Sequence, residues 1–168
     1  PPQKSHNITL RKRKVFLKIV GSNIMAFISE IDFWGGTASS EWIEITLGPD
    51  DNPGQFVVSA YRHNGTLHRD AGIPNGQVRL SNLSPMPHPD NPEYSIYIIQ
   101  VGIRASVSDA NEASGIALTN TVEGKVIDFY SASNQARINP TQGYAVGTRS
   151  DNILSSGQVS NSTTYQWD

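Results

Sequence analysis

From Ile8 to Tyr165 the periodic segments of this chain alternate in twos, and none carries the apolar stripe of a helix. The clearest run is Glu93–Arg104, EYSIYIIQVGIR, which is alternating and β-branched with Pro92 immediately before it. A chain restricted to strands and turns must close its sheets against one another, so the periodicity predicts stacked sheets that present their loops. With 168 residues the chain falls within the range of one domain, large enough to bury roughly two-thirds of its unfolded surface.

The strand expectations follow along the chain. Residues 1–7 read as a leader or linker tail, and 8–168 as a single β-sandwich recognition domain. Ile8–Val20 and Ile24–Phe33 flank the turn signal Gly21-Ser22-Asn23. Strict alternation in the second run puts Met25, Phe27, Ile31 and Phe33 on one face, with Glu30, Asp32, Ile24, Ala26 and Ile28 on the other. Glu41–Leu47 alternates, then Gly48–Gly54 turns. Gln55–His63 is a strand, His63–Pro74 a polar loop and Gln77–Ser81 a short strand. Ser84–Pro92 holds four prolines and reads as an exposed extended stretch or an edge. Gly115–Val122 and Lys125–Ser131 flank a hairpin turn, while Tyr144–Thr148 and Gln158–Trp167 read as closing strands. Roughly nine or ten strands at this spacing predict an all-β antiparallel sandwich of jelly-roll type.

Composition narrows the function classes. Net charge is −2, with no global electrostatic footprint for nucleic acid. The chain has no cysteine, which removes disulfides and thiolate metal sites and favours a bacterial or phage source or a domain large enough to need no staples. No run reaches the ~18 apolar residues of a membrane helix, so no membrane insertion is expected. Pro1-Pro2-Gln3 has no signal-peptide character.

No catalytic set emerges. His63 and His68 share a loop without a third metal ligand at fixed spacing, and no Gly-x-Ser-x-Gly elbow occurs. Asp50-Asp51-Asn52 and Asp109-Ala110-Asn111-Glu112 offer oxygens to Ca²⁺ without a full calcium-loop pattern, and turn chemistry accounts for the first group. Glu30 with Asp32, or Glu41 with Glu44, matches a glycosidase carboxylate pair, although any solvated strand face has that spacing. Arg11–Lys14 with Lys18 is a basic run that alternation divides between two strand faces, as on a protected edge. Asn-x-Ser/Thr matches at Asn7, Asn64, Asn82 and Asn161 arise easily in so polar a chain.

The loop chemistry is more informative. Tyr61, Arg62, His63, Asn64, His68, Arg69 and Asp70, with Trp34, combine broad aromatic faces with groups that bond sugar hydroxyls or a protein epitope. These eight residues are the expected ligand contacts, and no metal or cofactor is expected. The plainer alternative makes the tryptophans core and the loop merely solvated.

The order of features resembles the receptor-binding tip of phage tail fibres. A basic-aliphatic first strand precedes an apolar strand ending in Phe33-Trp34-Gly35-Gly36. Gln55–Arg62 and the Tyr94-Ser95-Ile96-Tyr97-Ile98 strand follow. The similarity spans about residues 14–130 and is one of pattern; the Pro-rich loop at 85–92 departs from it. The resemblance implies a trimeric β-sandwich whose loops bind a bacterial surface glycan or protein. The expectation is therefore a non-enzymatic attachment domain, homotrimeric, at a virion surface or otherwise extracellular, recognising a host cell-surface glycan or protein. Trimer contacts would cover the apolar second faces of strands 24–33 and 94–103. The alternatives are a fimbrial or lectin-like adhesin module, and a carbohydrate-active hydrolase or its binding appendage.

Overall fold

The structure, a computed structural model, describes residues 25–34, 41–103, 113–132, 137–153 and 162–166, with backbone alone for 33–34 and 162–166. The expected strand Ile8–Val20, its basic run and the Asp109–Glu112 group lie outside the described residues. Ten strands are described: β1 (Phe27–Trp34), β2 (Trp42–Leu47), β3 (Phe56–Tyr61), β4 (Gln77–Arg79), β5 (Met86–Pro87), β6 (Ser95–Gln100), β7 (Gly115–Asn120), β8 (Lys125–Ser131), β9 (Asp151–Asn152) and β10 (Ser162–Gln166). They form an all-β sandwich of two five-stranded sheets. The first, sheet A, runs β10-β1-β2-β6-β5, and the second, sheet B, runs β4-β3-β7-β8-β9. All pairings are antiparallel except β8 with β9. No helix among the described residues is long and apolar enough to cross a membrane.

The sheets are interlocked. β2 lies beside β6 in sheet A, and the strands that follow each of them, β3 and β7, lie beside one another in sheet B. Because β2 and β6 run antiparallel, the chain crosses between sheets at opposite ends of the sandwich. Between the sheets, Ile43, Ile45, Leu47, Tyr97 and Ile99 of sheet A meet Phe56, Val58, Ile116 and Leu118 of sheet B. Burying one such Leu, Ile or Phe contributes about 1.5–3 kcal/mol before the entropy of ordering it.

One element corrects strict alternation. Ile28 and Ile31 are both buried in the core, although three residues apart in β1. A bulge between Ile28 and Glu30 inserts Ser29 against β2 and resets the pleat. Ala26 and Ile28 therefore face inward, away from Glu30 and Asp32, contrary to the face assignment read from the sequence. The bulge also brings the Ile28 amide toward sheet B, where it donates to Asp128 Oδ2 of β8 at 3.0 Å. Asp128 is buried, and Tyr130 donates its hydroxyl to the other oxygen, Oδ1, at 3.3 Å. Burial and the adjoining Asp128 carboxylate raise the Tyr130 phenol well above its ordinary range.

A second correction concerns Tyr144–Thr148, expected as a strand. Residues 144–147 form a turn, closed by the Thr148 amide on Ala145 O at 3.1 Å. Gly143 and Gly147, with φ of 74° and 88°, adopt the left-handed conformation that an extended strand excludes.

The Asp128 contact ties the sheets through a buried group, so its loss strands an amide. Asp128→Ala is expected to destabilise the domain by about 1–3 kcal/mol in urea unfolding, with Asp128→Asn losing less. A change within about 0.5 kcal/mol, the range of an ordinary surface substitution, would refute the inter-sheet tie.

Candidate functional site

Sheet B is buried on both faces: every residue of β3 and β7 is buried. Its outer face carries Ser59, Ala117, Thr119 and Gly115, small groups that leave room for a covering layer. Residues 137–150 supply that layer, with Ile138 and Ala145 packing against Tyr61, Ala117 and Phe129 in a second core. The sequence offers only a closing strand at Tyr144–Thr148 here, and no role in a site. The segment's bonding partners Leu67, Gly65 and Tyr61 lie 75 to 84 residues away, beyond any local pattern, whereas Ala117 and Phe129 are nearer in the chain.

Tyr61 is the centre of that packing. It is fully buried at the end of β3, with its ring 5.5 Å from Phe129 and tilted at 53°. The Ala145 amide donates to its hydroxyl at 3.2 Å, and the Ser59 and Tyr61 hydroxyls are hydrogen-bonded. Burial raises the Tyr61 pKa while these bonds pull the other way. Gly143 is required here: a Cβ at that position would lie 2.8 Å from the Tyr61 hydroxyl.

The loop after β3 folds onto the same layer. Asn64-Gly65 makes a turn, with Gly65 N bonded to Arg62 O at 3.0 Å and Arg62 N to Thr66 O at 2.9 Å. Asn64 Oδ1 accepts from the Thr66 amide at 3.0 Å and from the Thr66 hydroxyl at 2.7 Å. Gly65 has φ 82°, and a Cβ there would fall 2.1 Å from Asn139 O. Thr141 N and Oγ1 both donate to Gly65 O, at 2.9 and 3.2 Å, and the Leu67 amide donates to Gln142 Oε1 at 3.3 Å. Loops 62–69 and 137–150 are thus cross-bonded into one surface. Tyr144 and Val146 stand out from it, 50% and 56% exposed.

The structure divides the expected contact set. His63, Asn64 and Arg69 are exposed, and Arg62 and Asp70 are half-buried. Tyr61 and His68 are buried, so they support the surface and do not face a ligand. Trp34 has its backbone in β1, paired with Ser162, and its side chain lies outside the described residues. Asp70 is occupied by backbone, accepting from Gly102 N at 2.7 Å and Ala71 N at 2.6 Å. Val146 joins the candidates only through the structure, and Tyr144, an aromatic face of the kind that stacks on sugars, joins through its exposure.

The other constellations resolve as follows. Asp51 Oδ2 accepts the amides of Gly48 and Met25 at 3.0 and 3.1 Å, a turn role. Among the described residues no group of three His, Cys, Asp or Glu could hold a metal. Glu41 is buried and takes the Ile103 amide on Oε2 at 2.5 Å. Glu30 and Glu44 are direct cross-strand partners on the outer face of sheet A, with Asp32 opposite Trp42. Burial first, then the Glu44 and Asp32 charges, raises the Glu30 pKa. Ser29 donates to Glu44 Oε1 at 2.6 Å. At the opposite edge of β6 a concavity of about 430 Å³ is lined by Ala71, Gly72, Leu83 and Ile98–Gln100.

His68 is 3% exposed, with Nε2 3.9 Å from Asp70 Oδ2 and no hydrogen-bond partner at Nδ1. Burial lowers its pKa; Asp70 pulls it up and Arg62 pushes it down, and burial dominates. The unfolded state therefore binds more protons around and below pH ~6.5. The stability from a neutral His68 is complete above that pH and is lost as pH falls toward the lowered folded value. The melting temperature is expected to drop between pH 8 and 5.5, and to drop less in His68→Gln. An equal drop in both proteins would contradict the placement of His68.

No protein-family model, curated protein or solved structure matches this chain.

Proposed function

We propose that this chain is a non-enzymatic recognition domain, attaching a virion or other extracellular assembly to a host cell-surface glycan or protein through loops 62–69 and 137–150. The observation that carries the reading is the cross-bonding of Gly65 with Thr141 and of Leu67 with Gln142. Loops fixed in advance lose little entropy on binding, as recognition surfaces require. Tyr144 offers an exposed ring, and Asn64, Gln142 and Thr66 supply amide and hydroxyl groups in the same two loops. Trimerisation belongs to the same proposal. Ile98, 43% exposed, and Met86 leave apolar surface at the β5–β6 edge for a contact between copies.

The Glu30–Glu44 pair favours the hydrolase alternative, because a raised carboxyl beside a second carboxylate is acid–base chemistry. The pair lies on a sheet face, however, and neither carboxylate lines the described concavity, which reaches the pair only through Ile98, the residue across from Glu44. Recognition is therefore the better-supported reading.

The test is attachment of the labelled domain to a panel of bacterial and animal cells. Tyr144→Ala with Val146→Ser is expected to weaken attachment about tenfold or more, as loss of an aromatic anchor does. Val122→Ser, in the exposed β7–β8 turn at the other end of sheet B, serves as the control. Attachment by the double variant equal to that of the parent would reject the two-loop surface.

A further inference from the structure

We infer that this two-loop surface takes an anionic oligosaccharide, bearing carboxylate or sulfate groups, in preference to a neutral one; the inference rests on the recognition reading above. The chain as a whole is acidic, with 15 Asp and Glu against 13 Lys and Arg. Residues 62–69 and 137–150 reverse that balance. Together they hold four arginines, Arg62, Arg69, Arg137 and Arg149, and no Asp or Glu.

The fold ties the two ends of the second loop to each other. The Ile138 amide donates to Ser150 Oγ at 2.7 Å, and the Ser150 amide donates to Ile138 O at 3.0 Å. Arg137 and Arg149 each precede one member of this buried pair, and both are exposed. Of the neighbouring acids, Asp70 is turned to the Gly102 and Ala71 amides, and Asp151 is a single charge on β9. The acidic group Glu30, Asp32 and Glu44 lies on the outer face of sheet A, across the sandwich from the layer that covers sheet B. Among the described residues these arginines and this acidic group thus lie on opposite faces, which favours an anion at the loops.

A guanidinium fork matches carboxylate and sulfate geometry. An exposed Tyr144 ring on a surface that also carries amides and hydroxyls suits a sugar face with its hydroxyls, which a plain phosphate backbone would not use.

The experiment titrates the intact chain, at fixed salt, with matched oligosaccharides: neutral parents and their sialylated, uronic-acid and sulfated derivatives. A single-stranded oligonucleotide and a poly-glutamate peptide serve as polyanion controls. The expected result is that acidic derivatives bind about tenfold or more tighter than their parents. The carboxylate and sulfate arms show which group is read. Arg137→Gln with Arg149→Gln should remove that advantage without lowering the melting temperature. Neutral parents binding equally well would overturn the inference and leave the recognition reading standing. Equal binding of either polyanion, or an advantage that survives the double variant, would also overturn it. Attachment to cells that ignores the loops is the separate result that sinks the recognition reading itself.

Discussion

The Tyr61 side chain leaves the end of β3 on the outer face of sheet B, where water would ordinarily reach it, yet it is fully buried. A phenol in that position needs an apolar cover for its ring and a partner for its hydroxyl. Phe129 and residues 138–145 supply the first, and the Ala145 amide and Ser59 the second. Meeting both needs forces the chain after β8 back across sheet B. The Gly65 turn, the Thr141 bonds and the exposed Tyr144 follow from that one placement. The surface proposed for recognition is consequently held by a core and is not a set of independent loops.

The two outer faces of the sandwich have different characters as a result. Sheet B is covered, and what it shows to solvent is a layer rich in arginine and amide groups. Sheet A shows its own strands, with Glu30 beside Glu44 and with Ile98 exposed. Like charges placed directly across a strand pair cost stability, so that face is not arranged for maximal stability. Its buried neighbours Ser29 and Thr46 share the load, with Thr46 donating to Ser29 Oγ at 3.0 Å.

Much of the fold was legible because its strands obey local rules. β2, β7 and β8 appear within a residue or two of where alternation and turn residues put them. Two misreadings have separate causes. The bulge at Ser29 leaves no residue-type signal, so Ile28 was assigned to the wrong face. Tyr144–Thr148 has strand-like residues, but Gly143 before it and Gly147 within it turn the chain. In Glu93–Arg104 both faces are apolar, and Ile98 stays exposed beside β5, which contributes only two residues at that edge. At the site, the Asn64-Gly65 turn was readable, whereas the burial of Tyr61 and His68 depends on a cover from residues 137–150 that no window around them contains.

The central claim is that loops 62–69 and 137–150 form one preorganised unit anchored by Tyr61. Amide hydrogen exchange tests it without knowledge of any ligand. The Ala145 and Thr141 amides should be protected, should open with the same free energy, and should both exchange faster in Tyr61→Phe. Exchange of either amide at the rate of an unstructured peptide in the parent protein, or unequal opening that ignores Tyr61→Phe, would contradict it.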